Sequence, residues 1–236
     1  MGSKVFDEHA AEYDGWFLKN ENVLRSEAAL VARALGSPGR TLSVGCGSGL
    51  FEMILKKEYG ITIEEGIEPS EGMAAIARKR GLKTIASTAE EMAVEPGVYD
   101  TVMFNGSPGY IEDLGRAFAN ARRALKAGGR IVVLDVPKES SYALLYNLGC
   151  RVGNWDDPVF TGACPRDVYP MEFVVSARWR TTPEKVALLE AAGFTGLTFF
   201  QTLTRHPVYT NDSVEEPSEG FDRGDYVAIV ARAPQA

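Results

Sequence analysis

The 236-residue sequence predicts an α/β fold in which helices cover both faces of a mostly parallel sheet. Three observations support this prediction. Short apolar runs alternate with helical patterns over residues 41–136, an order typical of parallel strands joined by helical crossovers. Arg130–Val136 is apolar almost throughout, as expected for a strand covered on both faces. The last two strand patterns have no helix between them, so we expect an antiparallel pair.

The segment before the first strand predicts two helices. Apolar residues recur at helical spacing over residues 6–17 and 23–35, with a break near Asn20–Asn22. Gly36 ends the second helix. We therefore expect residues 1–38 to form an N-terminal helical lid beside the sheet.

Residues 39–137 predict the central part of the sheet, which we expect to bind the cofactor. Each strand pattern is a short apolar run, and each helix pattern has apolar residues three and four positions apart. Gly128 and Gly129 end the last helix before the fifth strand. The expected strands are Thr41–Val44, Thr62–Ile67, Lys83–Ala86, Thr101–Phe104 and Arg130–Val136, and the expected helices are Leu50–Glu58, Glu71–Arg80 and Leu114–Ala127.

The alternation of strands and helices stops after Pro137. We interpret residues 138–180 as a cap insertion, because an apolar helix pattern at Tyr142–Cys150 is followed by an irregular stretch rich in aromatic residues. Residues 181–236 predict a C-terminal helix capped by Thr182 and an antiparallel hairpin with a long polar flap. The expected elements there are Pro183–Ala192, Thr195–Leu203 and Tyr226–Ala231. We expect the four segments to form a single domain.

Composition and charge limit the classes of partner. The net charge is −7 at pH 7 and the pI is near 5.1, whereas nucleic-acid binding depends on concentrated Lys and Arg. No apolar stretch approaches the roughly 18–20 residues of a membrane span, and Met1–His9 lacks the pattern of a secretory leader. Three cysteines without a C-x-x-C motif favour reduced thiols. We therefore expect a cytoplasmic monomer or homodimer that binds neither nucleic acid nor membrane.

The segment Thr41–Gly49, TLSVGCGSG, carries the strongest functional signal. Three glycines at alternate positions allow a sharp turn with positive φ and let the backbone approach a ligand. The helix that follows directs its free N–H groups and the positive end of its dipole toward the loop. A dinucleotide site requires the spacing G-x-G-x-x-G, but Leu50 occupies the sixth position here. The motif therefore indicates a nucleotide-type site with a different spacing.

This G-x-G-x-G pattern resembles the first motif of class I S-adenosylmethionine-dependent methyltransferases, and the resemblance continues through the fifth expected strand. Tyr13–Phe17, YDGWF, resembles the opening of the ubiquinone/menaquinone-type small-molecule methyltransferases. The resemblance implies a Rossmann-like seven-stranded sheet, mostly parallel with the last strand antiparallel. It also implies S-adenosylmethionine as cofactor, S-adenosylhomocysteine as product, and methyl transfer to a small, partly apolar or aromatic acceptor by in-line displacement.

The matching positions imply a set of cofactor-binding residues. Glu68, at the end of the second expected strand, corresponds to the acid that accepts hydrogen bonds from the ribose hydroxyls. Met73 matches an apolar residue packed on the adenine, and Asn105–Gly106 match the strand end beside the sulfonium. Tyr13 matches a tyrosine that closes the site over the methionine end. The full set is Tyr13, Gly45, Cys46, Gly47, Gly49, Glu68, Pro69, Ser70, Met73, Thr88, Ala89, Glu90, Asn105 and Gly106.

One position departs from the family pattern. Relatives usually carry Asp or Glu where Ser43 stands, and that acid helps to hold the ammonium group of the cofactor. Glu52, in the first turn of the next helix, is a candidate to supply the missing charge. It is equally explained as an acid that favours the start of a helix, and both interpretations stay open in the sequence.

The acceptor pocket is expected between the lid and the cap insertion, over the carboxyl ends of the strands. Aromatic residues dominate the cap, and such walls suit a small, partly apolar or aromatic molecule. We assign no general base, since His9 and His206 are adequately explained as structural or exposed residues, and we expect no metal. The expected acceptor-binding residues are Tyr110, Tyr142, Tyr146 and Trp155.

Two other functions remain open at this point. A protein of the same fold can bind S-adenosylmethionine or S-adenosylhomocysteine without transferring a methyl group, and the serine at position 43 supports that alternative. The other alternative is a NAD-linked oxidoreductase, which the glycine spacing and the terminal hairpin disfavour.

Overall fold

The structure, a computed structural model, describes residues 2–235 except for the side chains of residues 2–4 and 11. The N-terminal segment forms α1 (Gly2–Glu8), α2 (Ala10–Lys19) and α3 (Glu21–Leu35). The expected break lies at Asn20, and a further break at His9 divides the first expected helix. Gly36 ends α3 with a φ of 53°, a conformation that suits glycine.

The central segment alternates strands and helices as predicted. Its strands are β1 (Thr41–Val44), β2 (Glu65–Ile67), β3 (Lys83–Ile85), β4 (Tyr99–Asn105) and β5 (Leu125–Asp135), and its helices are α4 (Leu50–Tyr59), α5 (Glu71–Lys79) and α6 (Leu114–Ala124). Strand β1 has its predicted bounds, whereas β2 is shorter than predicted. Helix α6 ends at Ala124 rather than Ala127, because the backbone from Leu125 onward pairs with β4.

The remaining elements form the cap and the C-terminal end of the sheet. They are α7 (Ser141–Val152), α8 (Met171–Ser176), α9 (Thr182–Ala191), β6 (Thr195–Thr202), β7 (Ser218–Glu219) and β8 (Tyr226–Arg232). The N-cap of α9 is Thr181 rather than the predicted Thr182. The Thr181 hydroxyl accepts a hydrogen bond from Glu184 N, and the Glu184 carboxylate accepts one from Thr181 N, which is a capping box.

The described strands form one sheet in the order β3-β2-β1-β4-β5-β8-β6-β7. Strands β1 to β5 pair in parallel, and β8 runs antiparallel to both of its neighbours, β5 and β6. This sheet confirms the predicted class and order of elements. It has eight strands rather than seven, because the flap after β6 adds the two-residue edge strand β7. The carboxyl ends of the parallel strands meet at one edge, where open α/β sheets bind their ligands.

Two apolar layers enclose the sheet, one on each face. Neighbouring residues of β4 point to opposite layers: Met103 packs with α3 and α4, whereas Phe104 packs with α6 and α9. The Phe104 ring meets Phe118 edge to face at 5.5 Å. Each such buried side chain contributes about 1.5–3 kcal/mol through removal of apolar area from water. The rigid sheet that results fixes the strand ends on which the site is built.

Hydrogen bonds to backbone carbonyls hold the cap against the lid and the sheet. The Trp16 indole N–H of α2 lies within hydrogen-bond distance of the Asp167 and Val168 carbonyls, at 3.2 and 3.0 Å. The Arg180 guanidinium donates to the carbonyls of Pro108 and Ile111 near the end of β4. Lid and cap therefore both lie over the strand ends. None of the described helices is long and apolar enough to cross a membrane.

Candidate active site

The glycine loop, residues 45–49, leaves β1 at the edge where the parallel strands end. Gly45 has a φ of 69°, and a Cβ built there would lie 2.5 Å from Ser107 Cβ, so a larger residue does not fit. Gly47 has a φ of 55°, but a Cβ at this position would meet no protein atom within 4 Å. The first glycine is therefore required by the protein itself, while the second faces open space.

That space belongs to a cavity of about 680 Å³, which we call the cofactor cavity. Its wall combines the ends of β1, β2 and β4 with the loop after β3 and with parts of the lid and the cap. Its volume falls in the range of small-molecule sites. The predicted residues on this wall are Tyr13, Gly45, Gly47, Glu68, Pro69, Met73, Thr88, Ala89, Glu90, Asn105 and Gly106.

Three predicted cofactor residues lie outside this wall. Cys46 lines a neighbouring cavity of about 30 Å³, which we call the loop cavity. Gly49 is the N-cap of α4, and a Cβ built there would lie 3.4 Å from Ala77 of α5. Ser70 is the N-cap of α5 and donates a hydrogen bond to the Asp7 carboxylate at 2.7 Å. Gly49 and Ser70 therefore begin the two helices next to the cofactor cavity without lining it.

The Glu68 carboxylate is fixed by two backbone donors. Gly47 N donates to Oε2 and Ser70 N donates to Oε1, both at 2.8 Å. Burial raises the pKa of Glu68 to about 7, and these two N–H groups oppose the rise. Each oxygen keeps a second lone pair for a donor in the cavity. The geometry therefore presents a fixed acceptor to the hydroxyl groups of a ligand.

The loop after β3 is held by side chains of neighbouring elements. The Asn120 amide of α6 donates to the carbonyls of Ala89 and Glu90, at 3.0 and 2.9 Å. The Glu90 carboxylate accepts the backbone N–H groups of Glu112 and Asp113. These bonds position the backbone around residue 89 on the cavity wall without any contribution from a ligand.

Strand β1 carries Ser43 where the resembling methyltransferases usually carry an acid, and Glu52 of α4 lies beside this serine. Ser43 Oγ donates a hydrogen bond to Glu52 Oε1 at 2.6 Å, and both residues are buried. Burial raises the pKa of Glu52, while the bond from Ser43 opposes the rise. Glu52 lines the loop cavity together with Gly45 and Gly47. A carboxylate thus faces the glycine loop although the strand carries a serine.

A partly buried polar network joins the lid to the glycine loop, and no sequence pattern predicted it. Arg80 forms an ion pair with the Asp14 carboxylate of α2 at 2.7 Å and donates to Ser48 Oγ at 2.7 Å. Ser48 Oγ in turn donates to Asp14 at 2.5 Å. The three residues are far apart along the chain, so no local pattern links them.

A second cavity of about 60 Å³, the acceptor cavity, lies between the lid, the cap and the sheet. Of the four residues expected to bind the acceptor, Tyr110, Tyr142 and Tyr146 line this cavity, but Trp155 does not. The Trp155 ring packs instead against Gly149, where an added Cβ would lie 2.7 Å away, and its N–H donates to the Tyr169 carbonyl. The further aromatic residues of the wall are Tyr13, Trp16, Phe17, Phe51, Tyr169, Trp179 and Tyr226.

Tyr13 and Asn105 line the cofactor, loop and acceptor cavities alike, so the three spaces meet at these side chains. The Tyr226 hydroxyl donates to Asn105 Oδ1 at 2.9 Å and thereby orients the Asn105 amide. A side chain of β8 therefore fixes the amide at the point where the three cavities meet.

Three carboxylates line the acceptor cavity, and two of them have partners. Asp135 forms a buried ion pair with Lys185 at 2.9 Å. Asp225 accepts the Tyr142 N–H at the start of α7, and burial raises its pKa to about 6. Glu27 of α3 is buried, accepts no hydrogen bond from any described residue, and has its pKa raised to about 8 by burial alone.

Glu27 is the functional candidate that sequence reasoning overlooked, although a signal was present. In α3 the apolar residues Val23, Leu24, Leu30 and Val31 form the buried stripe of the helix. Glu27 stands four residues after Val23 and therefore on the same stripe. An acid on the apolar stripe of an amphipathic helix is the exception that indicates a buried carboxylate.

The two histidines lie away from the cavities. His9 Nδ1 is 2.6 Å from a carboxylate oxygen of Glu12, and its ring meets Phe173 edge to face. His206 Nδ1 accepts the backbone N–H of Val208 at the start of a short 3₁₀ turn. Within the described chain neither imidazole lines the acceptor cavity.

Comparison with known proteins identifies relatives over the whole chain. Residues 19–198 match the sequence profile of a family described as a methyltransferase domain. The crystal structure of an S-adenosylmethionine-dependent methyltransferase from Thermotoga maritima, described as a possible histamine N-methyltransferase, has a TM-score of 0.83 and 30% sequence identity. That match covers 99% of this chain and 100% of the other.

Two further relatives differ in how much of the chain they match. An uncharacterised protein of Methanocaldococcus jannaschii is 29% identical over 227 residues, which cover 96% of this chain and 98% of that protein. A malonyl-[acyl-carrier protein] O-methyltransferase of Geobacter sulfurreducens is 30% identical over 130 residues, or 53% of this chain and 49% of the other. The sequence match to this O-methyltransferase thus covers about half of the chain.

Proposed function

The chain belongs to the methyltransferase-domain family and is an S-adenosylmethionine-dependent methyltransferase, and we propose that it methylates a small, partly apolar or aromatic molecule by in-line displacement. The observation that carries this proposal is the junction at Tyr13 and Asn105. There a cavity with a fixed carboxylate for a ribose opens toward a second cavity with aromatic walls. The two substrates of a methyl transfer require two such adjoining spaces.

The residues of the cofactor cavity fit S-adenosylmethionine. Glu68 would accept hydrogen bonds from the two ribose hydroxyls, and the backbone around residue 89, with Met73, would enclose the adenine. The open space above Gly47 leaves room for the ligand where a side chain would project. Bound S-adenosylmethionine supplies an electrophilic methyl group, and in-line attack by the acceptor breaks the carbon–sulfur bond and leaves S-adenosylhomocysteine.

Glu52 is proposed to hold the ammonium group of the methionine end. Its carboxylate lines the loop cavity beside Gly45 and Gly47, and Ser43 fixes one of its oxygens. An ammonium group there would offset the cost of burying this acid, because each would compensate the charge of the other. The serine at position 43 is then an accessory to Glu52 rather than a sign of a lost cofactor site.

The acceptor cavity supports a small acceptor. Its closure by lid and cap favours a small molecule over a macromolecular chain. Aromatic walls bind partly apolar molecules and exclude water, and exclusion of water strengthens the nucleophile by removing its hydration shell. Catalysis in such a site comes chiefly from holding the acceptor atom and the methyl group in line for the transfer.

A binding experiment separates this proposal from its alternatives. Thermal unfolding is measured with S-adenosylmethionine, S-adenosylhomocysteine and NAD, each added in excess. We expect both adenosyl ligands to raise the midpoint and NAD to leave it unchanged. Release of S-adenosylhomocysteine on addition of a pool of small-molecule acceptors is expected for an enzyme and not for a binding protein. Stabilisation by NAD alone would overturn the proposal.

The substitution Gly47→Val tests the placement of the ligand over the glycine loop. A valine at this position would project into the cofactor cavity and is expected to weaken S-adenosylhomocysteine binding by more than about 100-fold in isothermal titration. Gly60→Val is the matched control, because Gly60 also has positive φ, 68°, and open space around its Cβ, but lies at the far end of α4. The control shares the backbone strain and is expected to retain binding.

A further inference from the structure

The acceptor cavity contains a buried acid that the proposed methyl transfer does not use. Glu27 is 7% exposed, lines the cavity, and accepts no hydrogen bond from any residue that the structure describes. A buried polar group without a partner is costly, and a buried carboxylate more so. Such a group is therefore expected to have a partner in the working protein.

The Glu27 carboxylate faces the aromatic wall of the cavity. Its charge contributes to raising the pKa values of four tyrosines, Tyr13, Tyr142, Tyr146 and Tyr226, and all four line the cavity. These tyrosines come from α2, α7 and β8, on different sides of the space. The acid thus lies among aromatic side chains, which attract a cation through their ring faces.

The other acids of the cavity are not available in the same way. Lys185 compensates the charge of Asp135 at 2.9 Å, and Asp225 accepts backbone N–H groups at the start of α7. Among the described residues no Lys, Arg or His side chain lines the cavity. An anionic acceptor would therefore meet carboxylates without a free cation to receive it.

We propose that the acceptor is a small cationic amine, with a protonated amino group and a separate nucleophilic atom on an apolar or aromatic body, and that the Glu27 carboxylate pairs with that ammonium group. This inference rests on the proposed function, since it assigns the substrate class of the same cavity. The ammonium group provides the missing hydrogen-bond donors and the missing charge, while the tyrosine and tryptophan rings surround the body of the molecule. A neutral alcohol would provide a donor but no charge, and a carboxylate would be repelled.

Three probes of matched shape test the charge preference. Binding of 2-phenylethylamine, 2-phenylethanol and 3-phenylpropanoate is measured by isothermal titration to the full chain saturated with S-adenosylhomocysteine. We expect the amine to bind at least about ten-fold more tightly than the alcohol or the acid. Equal binding of amine and alcohol, or no binding of the amine at about 10 mM, would overturn the inference.

The substitution Glu27→Gln tests the residue itself. The variant keeps the shape of the side chain, and we expect it to bind 2-phenylethylamine at least about ten-fold more weakly and to lose the preference for the amine over the alcohol. Glu21→Gln is the matched control, because Glu21 begins the same helix but is exposed and pairs with Arg25. Full affinity in Glu27→Gln would contradict the role assigned to Glu27.

The pH dependence adds a readout that a merely structural role would not produce. Because the pKa of Glu27 is about 8 and a cation favours the ionised acid, amine binding to the wild-type protein is expected to strengthen by more than about ten-fold between pH 6.5 and 8.5. The titratable groups that line the cavity with Glu27 are Tyr13, Tyr110, Tyr142, Tyr146, Tyr169, Tyr226, Asp225 and Asp135 with its partner Lys185. All of them remain in Glu27→Gln, so a flat profile in the variant assigns the slope to Glu27. The same slope in both proteins would contradict the inference.

The experiment also separates the two proposals from each other. Both proteins are first titrated with S-adenosylhomocysteine alone. If the wild-type protein does not bind it, the proposed function fails, and the amine inference fails with it. If both bind it equally and the amine is not preferred, the amine inference alone is wrong.

Discussion

The cofactor cavity and the acceptor cavity share Tyr13 and Asn105, yet they are built in different ways. The first is formed largely by segments that directly follow β1, β2, β3 and β4, and its key acid, Glu68, is held by the backbone N–H groups of Gly47 and Ser70. The acceptor cavity is assembled from α2, α3, the cap and β8, and its acids are compensated unequally. Asp135 depends on the distant Lys185 side chain, Asp225 accepts backbone N–H groups of α7, and Glu27 has no partner among the described residues.

This difference indicates which parts of the site tolerate amino-acid substitutions. Backbone donors are fixed by the strand ends and do not change when a side chain is replaced. Side-chain partners such as Lys185 for Asp135, fifty positions apart, can be lost by one substitution. We therefore expect the cofactor cavity to be the stable part of the site and the acceptor cavity to be the part whose specificity evolves.

The largest expected effect concerns the buried ion pair of the acceptor cavity. Lys185→Met leaves the Asp135 carboxylate buried without a compensating charge, and we expect the free energy of unfolding to fall by about 3–5 kcal/mol in urea denaturation. Lys126→Met is the control, since Lys126 pairs with Asp100 at the exposed surface. The control is expected to cost less than about 1 kcal/mol. Similar losses in the two variants would show that the acceptor cavity does not depend on buried side-chain pairs.

The next effect concerns the cofactor cavity. Glu68→Ala removes a charged acceptor of the ribose hydroxyls, so we expect S-adenosylmethionine to bind about 1.5–3 kcal/mol more weakly in isothermal titration. Glu65→Ala is the control at the other end of β2, where the acid pairs with Arg40 outside the cavity. Unchanged affinity in Glu68→Ala would mean that the ribose binds elsewhere, and that the backbone-held Glu68 is not the key acid of the cofactor cavity.

The smallest effect concerns the stability of the acceptor cavity without a ligand. The pKa of Glu27 rises from an ordinary 4.5 to about 8 on folding, so the folded protein binds the proton more tightly than the unfolded chain does. The contribution of this proton to stability is present at low pH and is lost as the pH rises toward 8. Between pH 6.5 and 8.0 Glu27→Gln is therefore expected to gain about 1.5 kcal/mol of stability relative to wild type.

Denaturation at both pH values measures this change, and the difference between the two proteins cancels the other titrating groups, Asp225 included. A constant difference across this range would mean that Glu27 is ionised and compensated in the free protein. The acceptor cavity would then resemble the cofactor cavity in having its acids satisfied before any ligand binds.

Local sequence patterns predicted the central sheet well. Strand β1 and the helix starts at Leu50 and Glu71 lie where periodicity and capping residues placed them. The eighth strand was not predicted, because two residues in a polar flap form a strand only when an edge of the sheet is already present. The Asp135–Lys185 ion pair and the Asp14–Arg80 network could not be predicted either, since their partners meet only after folding.

The sequence by itself determined the class of the sheet, the glycine loop and the acid at position 68, because each depends on residues adjacent along the chain and on the φ values that glycine permits. Only the tertiary structure decided that Glu52 stands beside Ser43, that Glu27 faces a cavity with no partner among the described residues, and that Trp155 lies behind its wall. These facts depend on how separate elements pack, and packing is set by the shapes of distant surfaces rather than by any pattern along the chain.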